Sequence, residues 1–232
     1  MAASEIPIDS LLWAQQYVKN MPIYRVQNEV INDAAKMFWR AAPWRWTLGS
    51  LPTQAISNNV EDYTVTLPAD FEYGIFADLT FTDKILKDLE IVPYINTGGL
   101  LTGQASQLAI TGEGVSGNYR LSPTPTGYAA GTLPTISGMY KKKYTKLTET
   151  TIFTAGALIF PDCYIDTFRA AVLYYAYLYA DDQRAGNVQF SGKQTTFTGQ
   201  RAVVEAMIAE IREIEPLPLI PVETAQNPKK EK

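Results

Sequence analysis

The spacing of apolar residues changes twice along this 232-residue chain, and that change constrains the fold more than any single motif. Leu11, Ala14, Val18 and Met21 follow the capping residues Asp9 and Ser10 at helical spacing, which predicts a helix over 9–20. Pro22 can open a second helix, because its missing N–H is one that a first turn leaves unpaired anyway. Ile23, Val26, Val30, Ala34, Met37 and Ala41 then step by three or four until Pro43 stops them, predicting a helix over 22–42. From Trp44 the period falls to two. Strands are expected over 63–67, 71–81, 89–95, 107–111, 118–121, 136–144 and 157–160, with Gly, Pro and Thr between them. After Pro161 the helical step returns through Ile165, Phe168, Val172, Tyr175 and Tyr179, with Gly186 as a stop. A last helix is expected over 195–214, with Phe197, Val204, Ile208 and Ile211 on one face.

This order predicts an α+β fold. An N-terminal helical pair (1–45) and a C-terminal pair (161–215) form a four-helix core, and an antiparallel β-sandwich or barrel (46–160) is inserted between them. Pro216, Pro218 and Pro221 exclude helix from the remaining 216–232, which is expected as an extended tail.

Composition narrows the chemistry. The chain has no histidine, which excludes a Ser-His-Asp triad and every His-based metal site. Cys163 is the single cysteine, which excludes an intrachain disulfide and multi-Cys cages. It reads as a buried structural thiol, with no histidine to activate it. No catalytic, cofactor-binding or metal-binding residue is expected. A net charge of -4 argues against a basic duplex-binding module. Met1–Ser10 lacks the pattern of a signal peptide, and the apolar run Ala170–Ala180 is short of the ~20 residues that span a bilayer. The expectation is a reducing, aqueous compartment and no membrane.

Gly112–Gly117 spells G-x-G-x-x-G, but the helix that a dinucleotide site needs next is missing, so it reads as a β-hairpin turn. Asp181 and Asp182 point about 100° apart on a helix and read as ion-pair partners across helices or subunits rather than a catalytic dyad. Trp39, Trp44 and Trp46 surround Pro43 and read as the joint between helix and sheet. Lys141, Lys142 and Lys143 lie on a strand that alternates, so Lys141 and Lys143 share a face. They are either guards of a sheet edge or contacts to nucleic-acid phosphate. Leu217, Leu219, Ile220 and Val222 give the proline-rich tail an apolar strip suited to docking on a neighbour.

Several of these words together resemble one family. Ile31-Asn32-Asp33-Ala34-Ala35, Pro43-Trp44-Arg45-Trp46 and Tyr63–Phe71 with its Leu-Pro-Ala-Asp-Phe ending are similar to segments of the head-to-tail adaptor proteins of tailed bacteriophages. Gly138–Lys142, Phe160-Pro161-Asp162 and Tyr177–Ala185 extend the resemblance over about residues 10–215. It implies a virion structural protein of the neck, made in the host cytoplasm and without catalytic residues. Such adaptors form a ring, usually of twelve copies, between the portal protein and a tail or nozzle protein, and extend the DNA channel with non-specific contact to the genome. The resemblance assigns the lysines to a possible channel and the tail to a possible portal or neighbour contact. From the residues alone two other classes fit: a monomeric β-rich module that grips carbohydrate or protein, for instance through Trp44 and Trp46, and an acid–base enzyme working with carboxylates only.

Overall fold

Helix and sheet segregate into two units in a computed structural model of the chain: the described residues up to Thr47 with those from Tyr144 to Glu215, and those of Leu48–Lys143. The structure describes residues 14, 16–18, 21–82, 84–95, 101–129, 131–148, 150–151, 160–192 and 194–215.

Among the described residues the helical unit is built on three helices: α1 (Ile31–Ala41), α2 (Ile165–Tyr179) and α3 (Gly199–Ile214). The expected four-helix core is corrected accordingly. Of the expected helix 9–20, Ala14, Gln16 and Tyr17 are helical and Ala14 and Val18 reach the core, while the remainder lies outside the described residues. A short α-turn, Ile23–Arg25, and a π-helical turn, Val26–Val30, lead into α1, closed by the Ile31 N–H on the Val26 carbonyl. That wider turn rotates the helix after it. The buried stripe runs through Ile31, Ala34, Ala35 and Phe38, and the expected Met37 and Ala41 end half-buried.

Aromatic rings fill the centre of this unit. Phe38 stacks on Trp44 at 5.0 Å between centroids, Trp44 on Trp46 at 5.3 Å, and Phe160 packs on Phe38 at 4.5 Å and on Phe168 at 5.2 Å. Phe160 is thus a core residue; the rest of the expected strand 157–160 lies outside the described residues.

Before α3 the chain makes a hairpin, β11 (Val188–Ser191) with β12 (Gln194–Phe197), where helix was expected from 195. Gly186 (φ 84°) and Gly199 (φ 58°) close its neck. A Cβ on Gly186 would stand 1.8 Å from the Thr198 carbonyl oxygen, so only glycine lets the two strands meet there. Phe197 and Val204 are seven residues apart, a spacing that imitates a helix stripe although a strand and a neck separate them.

The second unit is one curled eight-stranded sheet. Its strands are β1 (Leu48–Ser50), β2 (Gln54–Ala55), β3 (Asp62–Val65), β4 (Phe71–Phe81), β5 (Lys84–Val92), β7 (Gln107–Thr111), β8 (Gly117–Ser122) and β10 (Thr135–Lys142), in the order β1-β10-β4-β5-β7-β8-β3 with β2 also on β10. A separate small ladder pairs β6 (Thr102–Gly103) with β9 (Thr124–Pro125). The main strands share one curled sheet, which corrects the sandwich alternative but not the barrel, and β5 and β7 pair in parallel, which corrects the all-antiparallel expectation. Alternation of apolar and polar residues reads the same in either direction, so it specifies a strand but not its partner's orientation. The inner face carries Tyr63, Val65, Leu67, Ala77, Leu79, Leu89, Leu108, Tyr119, Leu121, Ile136 and Tyr140 as a continuous core.

Candidate functional site

The segments that carry the family resemblance are where the fold is tied together. Asn32 is buried on α1. Its amide donates to the Leu147 carbonyl (3.0 Å) and the Asn28 carbonyl (3.2 Å), and its oxygen accepts from the Leu147 N–H (2.8 Å) and the Tyr144 hydroxyl (2.9 Å). It therefore ties α1 to the irregular segment that follows Lys142. Asp33, one residue on, accepts from the Tyr179 hydroxyl of α2. That bond, then burial, pushes the phenol up to about 12.

The expected joint of Trp39, Trp44 and Trp46 belongs to the helical unit's core. Trp44 is 1% exposed and donates its indole N–H to the Phe38 carbonyl at 2.7 Å, and Trp46 is 7% exposed. Trp39 is half-buried and meets Tyr144 edge-on at 5.9 Å. Gripping a sugar needs an exposed ring face, so these positions do not carry the carbohydrate reading.

In the sheet unit, Leu67–Phe71 forms the corner between β3 and β4. Leu67 is buried, and the Phe71 N–H bonds back to the Pro68 carbonyl at 2.9 Å. Asp70 accepts from the Tyr140 hydroxyl at 2.6 Å, and the Lys143 N–H donates to the Asp70 carbonyl at 2.6 Å. The G-x-G-x-x-G segment is the β7–β8 connection, as expected of a turn, and its Gly114 carbonyl accepts from the Leu67 N–H. Between these pieces lies a cavity of about 340 Å³, lined by Leu67, Pro68, Phe71, Glu113, Val115 and Lys143.

The three lysines part company at this corner. Lys141 is 3% exposed, and burial pushes its ammonium down to about 8 against the opposing pull of Glu72. Lys142 is half-buried. Lys143 is exposed and faces Glu113 at 3.6 Å. A register shift between Lys141 and Lys142 breaks the simple alternation. Lys141 pairs with Leu48 on one side and Tyr73 on the other, so it lies inside the sheet and the edge-guard reading does not apply to it.

Two further expectations are settled by the positions of the residues concerned, and a third falls outside the described residues. Cys163 is exposed, not buried, because it sits in a 3-10 turn before α2. Asp182 does not reach across helices; it caps the turn Gln183–Ala185 and binds the Arg184 guanidinium locally, at 3.0 Å. Leu217, Leu219, Ile220 and Val222 lie outside the described residues. Among the described residues no group of three or more His, Cys, Asp or Glu side chains could hold a metal, and no helix is long and apolar enough to cross a membrane.

The model of the SU10 adaptor protein family matches residues 8–214. The chain belongs to that family. It is a family of phage head-to-tail adaptors, so the resemblance carried by the Asn32, Trp44 and Asp70 segments stands. No curated protein matches the chain. The SU10 adaptor match takes in all three helices and the whole eight-stranded sheet, and it stops at the proline-rich strip.

The sequence leaves its fourteen tyrosines open between ordinary core and a surface to be buried on assembly. The structure shows both kinds: the hydroxyls of Tyr63, Tyr119, Tyr140, Tyr144, Tyr164 and Tyr179 each bond within their own unit, whereas Tyr17, Tyr24, Tyr73 and Tyr94 are exposed. What sequence reasoning missed is the partner of each bonded hydroxyl, which depends on segments distant in the chain.

Proposed function

We propose that the protein is a structural, non-enzymatic adaptor of the virion neck, assembling as a ring of twelve copies beneath the portal, joining it to a tail or nozzle protein and extending the DNA channel. The observation that carries this reading is the family match over residues 8–214. It is supported by the way the family-like segments are used: Asn32, Asp33, Trp44 and Asp70 all serve as fold ties, leaving function to surfaces and not to a reaction centre.

Of the lysine run, Lys142 and Lys143 are assigned to the channel wall, where phosphate contact is non-specific and salt-sensitive. The buried Lys141 is assigned to the sheet. Lys143 and Glu113 form an exposed pair of little energetic weight, so the lysine can exchange that partner for phosphate. Replacing Lys142 and Lys143 by Gln should leave the melting temperature unchanged and alter genome retention or ejection in a graded, salt-dependent way. Normal retention and ejection in that variant would remove the lysines from the channel.

The tail, 216–232, is assigned to docking on the portal or on a neighbouring subunit, since its prolines hold an apolar strip extended and lower the entropy lost on ordering. Light scattering tests the assembly reading. The purified protein should be mostly monomer at micromolar concentration and gain mass on a portal template; a stable dimer indifferent to portal would contradict it.

A further inference from the structure

The hairpin of β11 and β12 has two unlike faces. Val188 stands opposite Phe197 and Phe190 opposite Thr195, so these four share one face, while Gln189, Ser191 and Thr196 share the other. Near the neck the apolar face is supported: Phe197 is half-buried, with the Arg201 guanidinium of α3 5.4 Å from its ring centroid. Further out the support ends. Val188 is 40% exposed and Phe190 79%, and neither joins a core. Lys193 is the single charged residue from Gly186 to Gln200, so the ribbon carries almost none of the charge that usually guards free strand edges. The neck nevertheless holds it in place. There the Thr198 N–H donates to the Asn187 carbonyl at 3.0 Å, and the Thr198 hydroxyl oxygen accepts from the Asn187 N–H at 2.9 Å.

A two-stranded ribbon by itself is marginally stable in water, and a bare phenylalanine near its tip adds nothing to it there. We propose that this hairpin is an intersubunit arm, whose Val188–Phe190 face docks on a second copy of the chain. The proposal rests on the ring reading above and names one of the contacts that make the ring. An almost uncharged ribbon offers little to phosphate or to an ionic surface. Its apolar face presents roughly 200–300 Å², well short of the about 800 Å² that each partner buries in a stable pair. One arm alone therefore does not hold two copies together in dilute solution, which suits a subunit that assembles on a template. In a closed ring each copy gives one arm and receives one, so the contact runs head to tail and repeats at every interface. The hydrogen-bonded neck keeps low the entropy lost when the arm docks.

The test places a photo-crosslinker of similar shape on the arm, Phe190→p-benzoylphenylalanine, in the full-length protein. Illuminated on portal rings, it should give adducts of two copies of the chain, with peptide mapping placing the acceptor outside the hairpin. The free protein at the same dilution should give none. Phe190→Ser should stay folded and monomeric, yet leave fewer copies on each portal than wild type. Adducts to the portal, or between two hairpins, would overturn the proposal, and so would a Phe190→Ser protein that fills the ring as wild type does. Should the wild type lay no ring on the portal, the assembly reading falls by that result alone. The arm is then decided in the concentrated free protein, where wild type should self-associate more than Phe190→Ser and equal behaviour would overturn it.

Discussion

Asn32 shows how much one buried polar side chain can carry. Both ends of its amide are used, and three of these bonds go to Tyr144 and Leu147, more than a hundred residues away in sequence. Asn32→Ala leaves the Leu147 N–H and carbonyl without partners inside the unit, so it should cost about 3 kcal/mol in urea unfolding. A loss under about 1 kcal/mol would mean that water replaces the amide. Lys141 is a second buried polar side chain, and burial lowers the pKa of its ammonium. Its folded pKa, about 8, lies below the ordinary 10.5, so between those values the unfolded chain binds the extra proton and stability rises with pH. The gain should be of the order of 2 kcal/mol from pH 8 to 10. Above pH 10 it reverses, because burial raises Tyr119 and Tyr144 above the usual phenol value and the unfolded chain then loses protons first. Lys141→Met should flatten the rise. A flat profile in the wild type would show that Lys141 stays charged and compensated.

At the scale of elements, the hairpin β11–β12 is a ribbon whose four β11 residues are all exposed, Phe190 at 79%. Phe190→Ser should therefore change stability by no more than about 0.5 kcal/mol. Gly186→Ala should cost more than about 2 kcal/mol, because its Cβ meets backbone at the hairpin neck and its φ is positive. Equal melting temperatures for Gly186→Ala and wild type would show that the neck opens freely. The same hairpin marks where reading a sequence by period stops working. Helices α1, α2 and most of α3 follow from apolar steps of three and four, and β4, β7, β8 and β10 from alternation, because each buries one face against a core. Val188 and Phe190 are exposed and join neither core, so their alternation had no core to point to. The π turn before α1 was equally silent: it changes which residues face inward without changing their spacing. At the Leu67–Phe71 corner the motif was legible as a strand end, whereas the Tyr140–Asp70 tie and the burial of Lys141 depend on strands brought together from 70 residues apart.

For the whole molecule, the two units divide the work of folding and leave assembly to surfaces. The helical unit closes around stacked Phe38, Trp44, Trp46 and Phe160, and the sheet unit around Tyr119, Leu121 and their neighbours. Deleting 216–232, assigned here to docking, should shift the melting temperature by less than about 2 °C while abolishing incorporation into particles; a much larger drop would show that the strip belongs to a core. The central claim is that this member of the SU10 adaptor family assembles on a portal. Electron microscopy of the purified protein, imaged alone and mixed with portal rings, tests it most directly. The account predicts dispersed particles alone and an added ring of density on one face of the portal in the mixture; bare portals beside unassembled protein at saturating concentration would contradict it.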